Sequence, residues 1–298
     1  MNRYSRRDFL KTSLKTSIAA GAVLGIAGAQ PLFAEPQTAT DWVELGHSGV
    51  KVTRLAFGTG SMGGQVQRSL GQDEFTRQVR YAYDHGIRFF ETAESYGDMH
   101  RRLGIALQGI PRDSYRIMSK VTTSDGVDPQ AKIDELRKLA RTEYFDILLL
   151  HWQHTGTWPT ESTRWQDGIA AAQHRGAVLK RGASVHGLPA LRQVPGNKWL
   201  DVAMIRVNHK GTRMDAEEHD ADVLGNVPEV VAHVRQVRKE GMGVISMKLV
   251  GEGVFNHQDR QAAMRFAFRD AGVQSVTIGY KTTQEIDEAI ANLNLALA

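Results

Sequence analysis

Polar side chains that can move a proton follow short apolar segments at three points in this sequence. The stretch GIRFFETAESYG (86–97) passes from apolar residues to the carboxylate of Glu91 and the phenol of Tyr96. Further along, Lys120 ends the segment IMSK and His151 ends the segment LLLH. If these segments are strands of one sheet, their polar ends meet at one edge of it.

An acid, a tyrosine, a lysine and a histidine together suit one kind of proton transfer. A free tyrosine has a pKa of about 10 and is a poor acid at neutral pH, but a nearby ammonium lowers that pKa. The ammonium needs a carboxylate partner in a partly buried site. A histidine beside the phenol can orient a substrate oxygen or relay a proton. The set predicts a proton donor for a developing alkoxide, as reduction of a carbonyl by hydride requires.

The elements that must position these residues alternate along the chain between apolar and amphipathic segments. The 264 residues that follow residue 34 (298 minus 34) suit one (β/α)8 barrel, which typically has about 250 residues. Strands that alternate with helices indicate a parallel sheet, so we predict an α/β fold of the closed TIM-barrel type. The predicted strands are 53–58, 87–91, 115–121, 146–152, 181–185, 201–207, 243–248 and 275–279.

Local signals around these strands predict a hairpin, helix starts and one long loop. The segment WVELGHSGVKV before the first strand predicts a β-hairpin that turns between Gly46 and Gly49. Asp128 followed by proline predicts a helix start, and Thr282 with Glu285 has capping-box spacing. The irregular segment NHKGTRMDAEEHDADVLGN after the sixth barrel strand predicts a loop at the barrel mouth.

Residues 1–34 differ from the rest of the chain and predict a separate targeting segment. The sequence SRRDFLK contains Arg6 and Arg7, and an apolar run follows at 18–29. This pattern predicts a twin-arginine signal peptide that is cleaved after Ala34, export by the twin-arginine machinery and a periplasmic location. The run has about 12 residues and a membrane-spanning helix needs roughly 20, so an uncleaved anchor is the alternative. Residues 35–298 are then the mature barrel, without stable membrane insertion.

Charge and cysteine content exclude several other functions. The formal charge of +4 comes from the leader, whose five basic residues and one acid give +4, leaving 0 on residues 35–298. That balance gives no indication of nucleic-acid binding. The absence of cysteine removes disulfides, thiolate metal sites and iron–sulfur clusters. His151 and His154 have the spacing of a metal pair, but they follow a strand, so we predict no metal site.

Several motifs in this order resemble the aldo-keto reductase family over nearly all of the mature chain. They are ELGHSGVKVTRLAFGTGSMGG, GIRFFETAESYGDMHRRLGIAL, IMSKV, LLLHW and GVISMK. The resemblance implies that Tyr96 is the general acid and that Lys120 is the partner that lowers its pKa. It also implies that His151 orients the carbonyl. Glu91 stands where the family usually has aspartate, and it would hold the lysine.

The resemblance also implies a nicotinamide cofactor, which we expect to be NADP(H), with NAD(H) as the alternative. The family's serine–asparagine pair appears here as serine followed by Val185, and its usual glutamine appears as Met204. Glu285 stands where an arginine often holds the adenosine phosphate, so Lys248 and Lys281 would supply that charge. The implied cofactor residues are Gly58, Thr59, Ser184, Met247, Lys248, Gly279, Lys281 and Glu288.

The substrate is expected to be a small-molecule carbonyl or alcohol, with Trp152 and Trp158 as candidate walls of its pocket. Two readings from other functional classes stay open, and a third, a structural partner protein, has no exposed apolar stripe to support it. The altered cofactor positions are compatible with a non-catalytic binding protein on the same barrel. Glu91 and His151 could instead serve as acid and base of a barrel lyase or hydrolase.

Overall fold

The computed structural model describes residues 37–218 and 223–298, and the predicted leader at 1–34 lies outside these residues. Eight parallel strands close into a barrel in their order along the chain, with the last strand beside the first. This confirms the predicted TIM barrel, with strand ends shifted from the prediction by at most three residues. The barrel strands are β3 Leu55–Gly58, β4 Phe89–Glu91, β5 Arg116–Val121, β6 Phe145–Gln153, β7 Val178–Val185, β8 Val202–Arg206, β9 Gly243–Met247 and β10 Ser275–Ile278.

An antiparallel hairpin precedes the barrel, as the sequence predicts. Its strands are β1 Trp42–Glu44 and β2 Lys51–Thr53. Gly46 has φ 56° at the turn, where an added Cβ would lie 2.1 Å from the carbonyl oxygen of Gly241. Leu45 is fully buried and joins the apolar cluster that fills the barrel interior, so the hairpin packs against that interior.

Helices cover the outside of the barrel and bury their apolar faces against it. Asp128 caps one helix by accepting a hydrogen bond from the backbone N–H of Gln130 at 3.0 Å, as predicted. Thr282 caps the last helix, but the carboxylate of Glu285 accepts from the N–H of Lys281. The helices are α1 Gln65–Ser69, α2 Gly71–Asp84, α3 Met99–Ala106, α4 Pro129–Leu139, α5 Trp158–Glu161, α6 Thr163–His174, α7 Leu188–Leu191, α8 Val227–Lys239, α9 His257–Arg265 and α10 Thr283–Leu297.

The long segment between β8 and α8 is irregular where it is described, which agrees with the predicted mouth loop. Lys210 Nζ in this loop lies 2.7 Å from the Asp259 carboxylate at the start of α9. Arg213 Nε lies 3.8 Å from the carboxylate of Glu252 in the loop after β9. The loops after β8 and β9 are therefore joined by charged contacts. Over residues 37–218 and 223–298, no helix has the length and apolar character needed to cross a membrane.

Candidate active site

Strand alternation carries the candidate catalytic residues to the mouth of the barrel. In β4, β5 and β6, the side chains of Phe89, Met118 and Leu149 belong to the apolar cluster of the barrel interior. Successive side chains in a strand point to opposite faces, so the residue two positions later faces the same way. Those residues are Glu91, Lys120 and His151. These three polar side chains therefore continue three neighbouring rows of side chains that face the barrel interior.

A buried ion pair forms the base of the site. The ammonium of Lys120 contacts the Glu91 carboxylate and donates a hydrogen bond to the carbonyl of Thr92 at 3.0 Å. The other Glu91 oxygen accepts from the hydroxyl of Thr277 at 3.4 Å. Glu91 is 2% exposed and Lys120 is 0% exposed, so the two charges are each other's main compensation. Burial and the charge of Lys248 lower the pKa of Lys120, which the contact with Glu91 opposes.

Tyr96 lies directly beside this pair, in a 3₁₀ helix (Glu94–Tyr96) that follows β4. The ammonium of Lys120 lies 4.8 Å from the centre of the phenol ring. A Cβ added at Gly60 would lie 2.5 Å from the Tyr96 hydroxyl, so glycine permits this close approach.

The electrostatic expectation for Tyr96 was wrong in its direction. Burial and the negative charge of Glu252 raise the pKa of Tyr96, whereas the sequence predicts that the lysine lowers it. The reason is that Lys120 favours the phenolate but Glu91 offsets much of its positive charge, so the cost of burying a phenolate dominates. A phenol with a raised pKa is protonated at neutral pH, which is the form that donates a proton.

His151 packs against the ring of Tyr96. The two rings meet edge to face, with centres 5.5 Å apart and an angle of 85° between their planes. Burial, with the charges of Lys120 and Lys248, holds the pKa of His151 well below its usual value, so the ring is neutral at pH 7. Ser95 Oγ lies 3.1 Å from Nδ1. When this hydroxyl donates to Nδ1, Nε2 carries the ring proton and can donate it to a carbonyl oxygen.

A cavity of about 330 Å³ extends from Tyr96 and Glu91 to the first half of α10. The ends of β3, β9 and β10 and the loops after them form its walls. Barrel phosphate sites commonly lie after the seventh and eighth strands, which are β9 and β10 here. Of the predicted cofactor residues, those that line the cavity are Gly58, Met247, Lys248, Gly279, Lys281 and Glu288.

Two predicted cofactor residues are not part of this lining. Thr59 is buried, and its backbone N–H donates to the carbonyl of Glu91 at 3.1 Å. Ser184 is also buried, and its hydroxyl accepts from the backbone N–H of Trp152 at 3.1 Å. Both residues support the strand ends around the catalytic groups and do not face the cavity.

The two tryptophans proposed for the substrate pocket have different environments. Trp152 is 50% exposed at the end of β6, has φ 58° and packs its ring on His154 at 4.6 Å between centres. It lies at the mouth but outside the cavity lining. Trp158 is 1% exposed and donates its indole N–H to the carbonyl of Ala190, so the idea that it walls a pocket was wrong.

The chemistry of the cavity fits a phosphate-bearing cofactor. Lys248, Arg260 and Lys281 supply three cations, and ammonium and guanidinium groups are the usual partners of phosphate oxygens. Arg260 already holds the Glu288 carboxylate at 2.7 and 3.0 Å, and Lys248 contacts Glu252. These carboxylates compete with any anionic ligand for the same cations.

Sequence reasoning missed Ser95, Arg260 and Glu252. Ser95 lies between Glu94 and Tyr96 in the stretch that was read for its acids and phenol. Arg260 lies in the helix that follows the seventh barrel strand, and the position of barrel phosphate sites is the signal that could have indicated it. Glu252 lies in the GEG turn, and no sequence pattern identifies a carboxylate there as a partner of Lys248.

Comparison with known proteins agrees with this geometry. Residues 54–263 match the model of the aldo/keto reductase family. A probable aldo-keto reductase from Glycine max is 30% identical over 236 residues, which cover 72% of this chain and 60% of that protein. L-galactose dehydrogenase from Arabidopsis thaliana is 23% identical over 292 residues, covering 83% and 86%. An aldo-keto reductase from Bombyx mori, solved in complex with NADP, superposes with a TM-score of 0.63 at 18% identity over 88% of this chain and 93% of its own.

The parallel barrel brings an acid, a tyrosine, a lysine and a histidine together at its mouth. The chain belongs to the aldo/keto reductase family. Its match spans 60% of the length of the soybean relative.

Proposed function

We propose that the protein reduces an aldehyde or ketone, or catalyses the reverse oxidation, with NADP(H) as cofactor and Tyr96 as the proton donor. The observation that carries the proposal is the buried Glu91–Lys120 pair beside the Tyr96 ring, at one end of a cavity lined with cations. The NADP complex of the Bombyx mori reductase supports the choice of cofactor by analogy of fold.

Each catalytic side chain has a role that follows from its contacts. The phenol of Tyr96 donates its proton to the oxygen of the carbonyl as negative charge develops on it. The neutral imidazole of His151 donates a second hydrogen bond to that oxygen and orients it. The ammonium of Lys120, held by Glu91, stabilises the phenolate that remains after proton transfer. The bound cofactor supplies the hydride. Lys248, Arg260 and Lys281 would hold its phosphates, and Met204 and Met247 would pack near its reacting end.

The two other readings differ in what the structure offers them. A lyase or hydrolase needs Glu91 as an acid or base, yet both of its oxygens already accept hydrogen bonds, from Lys120 and Thr277. A non-catalytic binding protein would bind the cofactor and leave it unreacted. A titration with NADPH together with a turnover assay distinguishes that reading from a reductase.

The test is Tyr96→Phe, which removes the donated proton and keeps the ring. We expect kcat to fall by at least 100-fold with a panel of aldehydes and ketones, because proton transfer to the alkoxide is lost. Binding of NADPH, measured by quenching of tryptophan fluorescence, should stay within about threefold. A variant that keeps more than a tenth of the parent kcat removes Tyr96 from the mechanism.

We further propose that the chain is made with a twin-arginine signal peptide and works in the periplasm. The support is the sequence of residues 1–34, in which Arg6 and Arg7 precede a short apolar run. The test is to replace both arginines by lysine in the full chain. We expect the protein to be retained in the cytoplasmic fraction at the uncleaved mass. Unchanged export and processing would contradict the proposal, and a parent protein whose mass includes residues 1–34 in the membrane fraction would indicate an anchor.

A further inference from the structure

A second lysine–carboxylate pair lines the cavity, in addition to the pair beside the Tyr96 ring. Lys248 Nζ contacts Glu252 Oε1, and Glu252 Oε2 lies 3.8 Å from Nε of Arg213. Burial and then the charge of Glu252 raise the pKa of Tyr96, and burial followed by the charges of Lys120 and Lys248 lowers that of His151. This pair therefore lies within electrostatic reach of the catalytic groups, although the proton-transfer mechanism gives it no role.

The backbone of the pair is held in an uncommon conformation. Lys248 has φ 57°, and Glu252 has φ 57° and lies between Gly251 at 58° and Gly253 at 95°. Its neighbour Arg213 has φ 56°. The left-handed region costs energy for any residue with a Cβ, and such positions cluster at ligand clamps and active sites. Glycines on both sides of Glu252 make this conformation accessible without fixing the side chain.

We propose that Glu252 is a displaceable internal anion that holds Lys248 and thereby sets the affinity of the cavity for the phosphate groups of the cofactor. The inference rests on the proposed function, which supplies an anionic ligand. A phosphate that takes Lys248 releases Glu252 beside Arg213, so the carboxylate keeps a cation near it. An anionic ligand must compete with Glu252 for Lys248, so Glu252 sets how tightly that ligand has to bind the lysine in order to occupy the cavity.

Glu288, which also has a cationic partner at the cofactor end of the cavity, does not fit this role. Glu288 receives two hydrogen bonds from Arg260, one from His257 at 3.0 Å and one from Asn292 at 3.3 Å. These contacts join α9 to α10 in a network that an incoming phosphate would have to dismantle. Glu252 has one strong contact, which a single phosphate oxygen can replace.

The experiment is a double-mutant cycle read by calorimetric titration with NADPH. The four proteins are the parent, Glu252→Gln, Lys248→Gln and the double variant. We expect Glu252→Gln to tighten binding about tenfold, the size of a 1.4 kcal/mol change. In the Lys248→Gln background the same substitution should change affinity by less than about threefold, because the carboxylate then has no lysine to hold.

The control is Glu285→Gln, which removes a carboxylate from the same cavity. The Glu285 carboxylate accepts from the backbone N–H of Lys281 at 2.6 Å, so we expect less than about a twofold gain in affinity. Weaker binding by Glu252→Gln would overturn the inference and indicate that Glu252 is itself a cofactor ligand. Equal tightening with and without Lys248 would also overturn it, since the effect would be general charge repulsion.

A titration with inorganic pyrophosphate separates this inference from the proposed function. We expect the same cycle with this probe, which has no nicotinamide and undergoes no hydride transfer. If the cycle appears but no carbonyl compound is reduced, the inference stands and the reductase proposal fails. If reduction occurs and Glu252→Gln leaves the affinity for both ligands unchanged, the inference fails and the reductase proposal stands.

Discussion

Removal of the Glu91 carboxylate should destabilise the fold as well as the chemistry. Lys120 is fully buried and contacts Glu91, and its other hydrogen bond goes to the carbonyl of Thr92. In Glu91→Ala the ammonium loses the one carboxylate that it contacts among residues 37–218 and 223–298. Removing one partner of a buried ion pair typically costs about 3–5 kcal/mol. We expect a loss of that size in the free energy of unfolding at pH 7.

The free energy needed to deprotonate the buried lysine gives an independent value of similar size for the loss of stability. An unperturbed lysine has a pKa of about 10.4, and each pKa unit corresponds to about 1.36 kcal/mol. Releasing the Lys120 proton at pH 7 therefore costs about 4.6 kcal/mol, which limits the penalty from above. For a chain of this size, about 4 kcal/mol lowers Tm by on the order of 10 °C.

The pH dependence of the unfolding free energy shows whether the loss of stability comes from the charge of Lys120. Burial lowers the pKa of Lys120 in the folded chain, and loss of the Glu91 charge lowers it further. Between that lowered value and the unfolded value of about 10.4, the unfolded state binds the extra proton, so unfolding free energy rises with pH. In Glu91→Ala this rise starts at a lower pH than in the parent, so the deficit of the variant should be smaller at pH 9.5 than at pH 7 and constant above the Lys120 pKa of the parent.

The assay is urea unfolding at the two pH values, with Glu91→Gln as a control that keeps volume and a hydrogen-bond acceptor. Both variants should show the shrinking deficit, whereas Glu91→Asp should lose far less stability and keep activity. A deficit that is independent of pH and confined to alanine would show that Glu91 acts through packing. That result would refute the electrostatic account of the pair.

Two further predictions concern the cofactor end of the cavity. Gly279→Ala should abolish or greatly weaken NADPH binding in a calorimetric titration, because its Cβ would lie 2.2 Å from Ser61 Oγ and 2.7 Å from Gln67 Nε2 and must move residues around the cavity; unchanged affinity would remove Gly279 from the cofactor site. Arg260→Met should weaken NADPH binding roughly tenfold more than NADH binding, because its guanidinium would lose one charge-assisted contact with the additional phosphate. Equal losses for both cofactors would show that the arginine only joins α9 to α10.

The barrel was predictable from sequence because its strands are buried on both faces. Such strands appear as short continuous apolar runs, and each of the eight was separated by a helical pattern or a turn signal. The predicted strand boundaries were less accurate where the apolar run and the hydrogen-bonded strand cover different residues. The segment from Thr53 contributes only Leu55–Gly58 to the barrel, because Thr53 pairs in the hairpin.

The proton-donor site was predictable for the same reason, and its electrostatics were not. Glu91, Lys120 and His151 end runs whose positions two residues earlier face the barrel interior, so their convergence follows from strand alternation. The direction of the Tyr96 pKa shift depends on which charge is neutralised and which is buried. Glu252, which contributes to that shift, comes from a turn far away in the sequence.

The cofactor end was harder to predict because loops and helix ends build it. Six of the eight implied positions line the cavity, but Ser184 and Thr59 make hydrogen bonds that fix neighbouring strands. A loop has no periodicity, so the sequence does not show which way a side chain such as Glu252 or Arg260 points. The balance of charges in the cavity is also set by these loops and helix ends. Two of the cations that suit a phosphate, Lys248 and Arg260, have carboxylate partners whose positions only the folded chain defines, and affinity for the cofactor depends on how readily those partners are displaced.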